Sequence, residues 1–160
     1  MDIPTDRPAA LPDWRLRAIN TRPGFLIRRL NQIHTALFND ACGSAGITPI
    51  MYSVLSALAQ TGPTDQSILA RNIAVNKTNM VNLMERMRKR GLIRRALSSD
   101  DRRVRLVGLT DAGRVLLDEI DGLACQAHMR TLEDLSPRDR DTLMTLMAQI
   151  VDAKGSDLAI

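Results

Sequence analysis

The stretch at residues 76–105, NKTNMVNLMERMRKRGLIRRALSSDDRRVR, constrains the fold of this chain most, because the period of its apolar residues changes inside it. Met80, Leu83, Met84 and Met87 recur at three- and four-residue intervals, which places them on one stripe of a helix. Asn76 suits the N-cap, where a side-chain oxygen accepts from an orphan backbone N–H of the first turn. The opposite side carries Lys77, Asn79, Asn82, Arg86 and Arg90, side chains able to reach base edges or phosphates. Gly91 stops the helix, and Leu92-Ile93-Arg94-Arg95 begins a strand. In Arg103-Val104-Arg105-Leu106 charge and apolarity alternate with period two, as in a half-buried second strand. Helix, strand, charged tip and strand form the layout of a winged helix.

Charge supports an anionic partner for that layout. From Arg71 to Arg105 there are eleven basic and three acidic residues, a local balance of +8, although the whole chain carries only +4. The remainder is therefore acidic by four charges. Such segregation suggests a local anionic partner such as duplex DNA, the alternative being a merely solvated basic face. The aromatic residues are only Trp14, Phe25, Phe38 and Tyr52, which argues against a single-strand binder that stacks bases on aromatic platforms.

Other classes find little support. A hydrophobic content of 44% over 160 residues suits one compact domain, or a small domain with helical extensions. The chain shows no signal-like N-terminus and no apolar run near the ~18 residues a membrane helix needs, so a soluble cytoplasmic protein with no membrane partner is expected. Cys42 and Cys125 stand alone and read as structural free thiols. No nucleophile–base motif, phosphate loop or metal-ligand spacing occurs, so no enzyme, catalytic residue, cofactor or metal is expected. His34 and His128 read as lone histidines that pack at an interface or line a pocket.

The rest of the chain arranges itself around the central unit. Residues 1–23, with Pro4, Pro8, Pro12 and Pro23, form an N-terminal arm in which Asp13 could cap a short helix and Trp14 packs on the body or a partner. Leu26, Leu30, Ile33, Leu37 and Ala41 make a heptad-like stripe of a first helix, broken by Gly43 and Gly46. Thr48-Pro49 opens a second helix that buries Val54, Leu55 and Leu58 and ends at Gly62-Pro63. Thr64 is placed as the cap of a short third helix carrying Ile68, Leu69 and Ile73. Only Ala74 and Val75 then precede Asn76, which makes a helix-turn-helix. Thr110 caps a long fifth helix with Leu116, Ile120, Leu123 and Ala127 in its stripe, extending to about Leu135. Ser136-Pro137 opens a sixth with Leu143, Leu146, Met147 and Ile150. One winged helix cannot bury the stripes of the first, fifth and sixth helices. A two-fold homodimer would, and would also present two reading helices to DNA.

The run Leu69-Ala70, Val75-Asn76-Lys77-Thr78, Gly91-Leu92-Ile93-Arg94-Arg95, Asp101-Arg102-Arg103 and Leu109-Thr110-x-x-Gly113, together with Thr48-Pro49, resembles the MarR family of bacterial transcriptional regulators over roughly residues 24–151. The resemblance implies a mainly α fold with a small β-hairpin. A winged helix-turn-helix at residues 47–109 would be flanked by dimerisation helices at 24–46 and 110–153, with a frayed tail at 154–160. It implies an obligate homodimer on a pseudo-palindromic double-stranded operator, nucleoid-associated when bound. The reading helix would enter the major groove and the wing the minor groove. Many members are repressors released by small phenolic or other anionic aromatic compounds, held between the dimerisation helices and the DNA-binding lobe. Two departures stand out: Met51 where the family often has Gln, and Ala74 where it often has Gly.

On the reading helix Lys77, Thr78, Asn79 and Asn82 come within reach of base edges, with Thr78 equally suited to phosphate, and Arg86 one turn on suits phosphate. In the wing Asp101 would orient an arginine, Arg102 or Arg103 would enter the minor groove, and Arg105 completes the set. Arg28, Arg29, His34 and Tyr52 are the candidates for the pocket of a small-molecule effector whose identity is open. A redox regulator working through Cys42 or Cys125 is the competing reading, although redox members of the family place a reactive cysteine early in the first helix and Cys42 closes it.

Overall fold

The computed structural model describes Asp13, residues 16–97 and residues 105–155. Trp14, the wing residues Asp101, Arg102 and Arg103, and the tail from residue 156 lie outside these. The N-terminal approach forms turns: the Leu16 N–H donates to the Asp13 carbonyl at 3.1 Å, and a 3-10 turn spans Ile19–Thr21.

Helix α1 (Pro23–Cys42) begins with proline in its first turn, where the missing N–H has no partner to lose. A 3-10 turn at Gly43–Ala45 and Gly46 at φ 62° turn the chain toward α2 (Pro49–Thr61), capped by the Thr48 hydroxyl accepting from the Met51 N–H. The third helix start departs from the sequence expectation. Thr64 does not cap it: Thr64 and Asp65 form a short strand β1 (Thr64–Asp65), and Asp65 is the cap, its carboxylate accepting from Ser67 and Ile68 N–H at 2.7 and 3.3 Å. The carboxylate takes two orphan donors where the hydroxyl would take one, and Thr64 is committed to pairing with Val107.

Helix α3 (Gln66–Asn72) hands over to α4 (Lys77–Lys89) through a turn in which Ala74 adopts φ 53°, the only left-handed non-glycine residue among those described. The Ala74 and Val75 N–H groups donate back to Arg71 and Ala70, so the tight turn has the left-handed shape despite its alanine. Asn76 caps α4 as expected, accepting the Asn79 N–H at 2.9 Å, and Met80, Leu83, Met84 and Met87 are buried. At the other end Gly91, φ 70°, closes a Schellman motif: Leu92 N–H reaches the Met87 carbonyl at 3.1 Å and Gly91 N–H that of Arg88 at 2.9 Å.

Strands β2 (Ile93–Leu97) and β3 (Arg105–Leu109) pair antiparallel from Ile93–Leu109 out to Leu97–Arg105, and β1 adds to the free edge of β3, giving the order β1-β3-β2. Thr110 caps α5 (Asp111–Thr131) by accepting from the Gly113 N–H at 3.0 Å, and its own hydroxyl donates to the Gly91 carbonyl at 2.6 Å. Helix α5 stops at Thr131 rather than near Leu135. The Arg140 guanidinium holds the carbonyls of Leu132, Glu133 and Leu135 in the turn to α6 (Pro137–Gly155), which begins with Ser136 and Asp139 bonded reciprocally.

One apolar core runs from the reading head into the α1–α5 junction, joining Met51, Leu55, Met84, Met87 and Val107 to Phe38, Cys42, Ile120 and Ala124. The stripes of the outer helices behave differently. Leu26 and Ile33 of α1 are exposed, and α6 buries no side chain, leaving Leu146 and Ile150 open at 51% and 65%.

Candidate nucleic-acid interface

Helix α4 is pinned by its methionine stripe, so its other face is turned to solvent. Lys77, Thr78, Asn79, Asn82 and Arg86 are all exposed on it. Asn79, Asn82 and Arg86 line one open groove of about 520 Å³ with Ile50, Ala74, Val75, Asn76 and Leu83. The positive dipole end of the helix lies beside Lys77, an arrangement that favours a phosphate.

The basic residues of α4 do not all serve that face. Arg88 is paired bidentately with Glu85 at 2.8 and 3.0 Å, and this pairing draws the Glu85 carboxyl below its usual range. Arg90, expected from sequence beside the DNA-facing residues, turns instead to the α1–α2 corner and donates to the carbonyls of Gly46 and Ala45. The orientation of Arg90 has a simple cause. Arg90 is the C-cap of α4, past the last full turn, and lies beside a corner whose carbonyls lack helical partners. Arg86 remains exposed but donates to Met51 Sδ at 3.0 Å, tethering its head to α2. Met51 is the position where a glutamine was the family expectation.

Arg105 opens β3 opposite Leu97, so the chain between them, with Asp101, Arg102 and Arg103, joins β2 to β3 at the basic end of the hairpin. Arg94 is exposed on β2 and Arg95 half-buried.

The four residues singled out for a small-molecule pocket divide. His34 and Tyr52 come together: His34 stacks on His128 at 5.0 Å, and Phe38 and His128 both approach Tyr52, at 5.7 and 6.2 Å. His34 Nδ1 and Thr131 Oγ1 are 3.0 Å apart. The threonine hydroxyl donates to the Ala127 carbonyl, so Nδ1 is the donor to threonine and Nε2 of the neutral ring bears no proton. The Tyr52 hydroxyl donates to Asp121 at 2.7 Å, and burial, then that bond, push its pKa up. An open groove of about 550 Å³ beside Tyr52 is lined by Ser56, Gln60, Leu117, Asp118 and Asp121, an acidic wall. Arg28 is elsewhere, lining a groove of about 610 Å³ with Ile19, Arg22, Pro23, Gly24 and Phe25, its guanidinium 5.2 Å from the Phe25 ring. Arg29 hydrogen-bonds Gln32 and lines neither groove.

Sequence reading missed that the two histidines form a pair, because no local spacing links positions 34 and 128. Cys42 is fully buried, and burial pushes its thiol up, away from a reactive thiolate, whereas Cys125 is exposed. Among the described residues no set of three or more metal-ligating side chains gathers, and no single helix is long and apolar enough to cross a membrane.

A capped basic helix behind a tight turn, buttressed by a three-stranded sheet, defines a winged helix-turn-helix DNA-binding protein. Comparison with known proteins narrows this. The MarR family model matches residues 47–104. A crystal structure of a probable transcriptional regulator from Pseudomonas aeruginosa is 35% identical, covering 83% of this chain and 99% of that one with a TM-score of 0.80. The Bordetella bronchiseptica regulator BpsR, whose DNA binding is regulated by 6-hydroxynicotinic acid, is 28% identical with a TM-score of 0.81, covering 85% and 97%. The transcriptional repressor NicR of Pseudomonas putida is 29% identical over 135 residues, 84% of this chain and 85% of its own. The chain belongs to the MarR family of transcriptional regulators.

Proposed function

We propose that this regulator acts as a homodimeric repressor on a pseudo-palindromic operator in double-stranded DNA, from which a small aromatic or anionic effector releases it. The observation that carries the reading is the face of α4, where Lys77, Thr78, Asn79, Asn82 and Arg86 stand exposed on a helix whose other side is fully buried. Asn79 and Asn82 would read base edges, Arg86 and Lys77 phosphates, and Thr78 either. In the wing, Asp101 is assigned to orient an arginine and Arg102 or Arg103 to enter the minor groove, with Arg105 completing the set.

Dimerisation is supported by the apolar surface of the outer helices. Leu26 and Ile27 on α1, Met129 on α5 and Leu146, Ile150 and Val151 on α6 are all more than half exposed, apolar side chains that a second copy would cover. Residues 24–46 and 110–153 are accordingly the dimerising parts and 47–109 the reading head, in a regulator that works in the cytoplasm.

Release of the DNA follows from linkage. An effector that prefers a dimer with wrongly spaced heads lowers operator affinity by the ratio of its affinities for the two states. BpsR responds to 6-hydroxynicotinic acid, an aromatic acid, which supports an effector of that class here. The aromatic cluster of His34, Phe38, Tyr52 and His128 suits a ring, and the Arg28 groove, apart from it, is a second candidate that suits an anion.

The test is to sequence the DNA that the protein pulls from its own genome, then measure affinity for the recovered site by fluorescence anisotropy beside sedimentation. A dimer with specific, steeply salt-dependent binding is expected. A monomer, or equal affinity for random duplex, overturns the reading.

A further inference from the structure

The C-terminal end of α4 carries three arginines, Arg86 and Arg88 in its last turn and Arg90 at the C-cap, and each has a different use. Arg88 is neutralised by Glu85 and Arg86 leans on Met51. Arg90 is bound to main chain only: Nη1 donates to the Gly46 carbonyl and Nη2 to that of Ala45, at 2.9 Å for the latter. Those carbonyls belong to the corner where α1 ends and α2 begins. That corner is itself tightly shaped, with Gly46 in the left-handed region and its N–H closed onto the Gly43 carbonyl at 2.9 Å. The guanidinium lies so close over Gly46 that a Cβ there would touch it at 3.6 Å. Two parallel N–H groups on two successive carbonyls form a fork that only a planar guanidinium supplies; an ammonium has no such geometry.

The position of this fork matters. Helix α1 belongs to the outer layer, packed along α5, while α4 belongs to the head. Along the chain α4 is flanked by α3 and β2, the elements it packs on most. Arg90 is thus a direct polar tie from the C-terminal end of the reading helix to the turn through which α1 leads into α2. We propose that Arg90 is a positioning residue, a strut that holds the reading helix at a set angle to α1 and so sets the half-site spacing the protein accepts. The proposal rests on the dimeric DNA-binding reading above. It takes Arg90 away from the DNA and gives it to the geometry of the head.

A phosphate contact and a strut differ in what they change. Losing a phosphate contact weakens every duplex alike and lowers the salt slope by about one per contact. Losing a strut leaves a single half-site bound normally but lets the two heads tolerate wrong spacings. The test uses the full-length dimer and the operator recovered from its genome, with duplexes in which the half-sites are moved one base pair closer or further apart, and a duplex holding one half-site. Wild type is expected to discriminate against either altered spacing by about tenfold or more. Arg90→Ala is expected to reduce that ratio at least about threefold while its half-site affinity and salt slope are unchanged. Arg90→Lys retains the charge and should be nearly as tolerant of spacing as Arg90→Ala, and it carries the test alone if the alanine variant does not fold. Unchanged spacing discrimination in the variants, or a uniform loss with a smaller salt slope, overturns the strut. If wild type itself gains nothing from a second half-site, the dimeric reading fails first, and the two failures are told apart.

Discussion

The imidazoles of His34 and His128 lie face to face, their centroids 5.0 Å apart and their planes 10° from parallel, on helices α1 and α5. This stack ties the two helices that carry most of the contact between the outer layer's elements. Burial, and then the neighbouring imidazole, hold His34 below the ordinary histidine value.

The folded protein therefore takes up a proton at His34 less readily than the unfolded chain. The sign follows from linkage: stability is fully present above the unfolded value, about pH 6.5, and is lost as pH falls through the window between that and the lowered folded value. Thermal melts are expected to show a falling Tm below about pH 6.5. His34→Gln, which can still donate to Thr131 but cannot be protonated, should flatten that dependence. Parallel curves for the two proteins would remove His34 as its source.

Ala74 bends the helix-turn-helix at φ 53°, a conformation that costs a Cβ-bearing residue on the order of 1 kcal/mol. The residue is exposed, so its methyl group contributes little packing in return. Ala74→Gly is expected to stabilise the protein by about 0.5–1 kcal/mol, the gain being trimmed by the freer unfolded chain. Urea unfolding with an unchanged m-value is the measurement. A lower midpoint for the glycine variant would mean that the methyl group makes a contact outweighing the strain.

Gly113 presents the opposite case. It lies in the first turn of α5, where a Cβ would collide with the Leu92 carbonyl oxygen, a main-chain atom that also accepts the Thr110 N–H at 3.2 Å. Side-chain repacking cannot make room. Gly113→Ala is expected to lose about 1–3 kcal/mol by forcing α5 off the β2 entry. The melting curve would show it, while Gly122→Ala on the same helix, where a Cβ meets nothing within 4 Å, should be neutral or mildly stabilising. Equal effects at the two glycines would contradict this account.

These positions also show what the chain discloses before its structure is known. The reading helix was legible because periodicity, cap and stop are local: Asn76, the methionine stripe and Gly91 all lie within one segment. Ala74 was legible as an anomaly in a tight turn. Strand β1 was not, since two residues have no period and Thr64 is paired with Val107 from far along the chain. Arg90 misled for the same reason: on a helical wheel it shares the side of Asn79 and Arg86, while its acceptors, the carbonyls of Ala45 and Gly46, carry no side-chain signal at all. The His34–His128 stack and the separation of Arg28 from Tyr52 depend on how α1 lies against α5, which no spacing within either helix encodes.

Asn79 and Asn82 carry the most specific expectation for the interface. Both project from the first two turns of α4, on the exposed face, and an amide in that place can bond an adenine edge with both its donor and its acceptor. Each of Asn79→Ala and Asn82→Ala is expected to cost roughly 1–3 kcal/mol on the operator, about thirtyfold at the middle of that range, and to relax preference at one base pair of each half-site. Lys77→Ala should instead weaken all duplexes by a similar factor and reduce the salt slope by about one per subunit. Neither asparagine change should disturb the helix itself, because the cap is made by Asn76 to the main chain of Asn79, an N–H that alanine retains. Anisotropy titrations on the operator and on duplexes substituted one base pair at a time separate the two patterns. Were Asn82→Ala to weaken every duplex equally, its side chain would be a backbone contact, and the reading of sequence would fall to Asn79 and Thr78 alone.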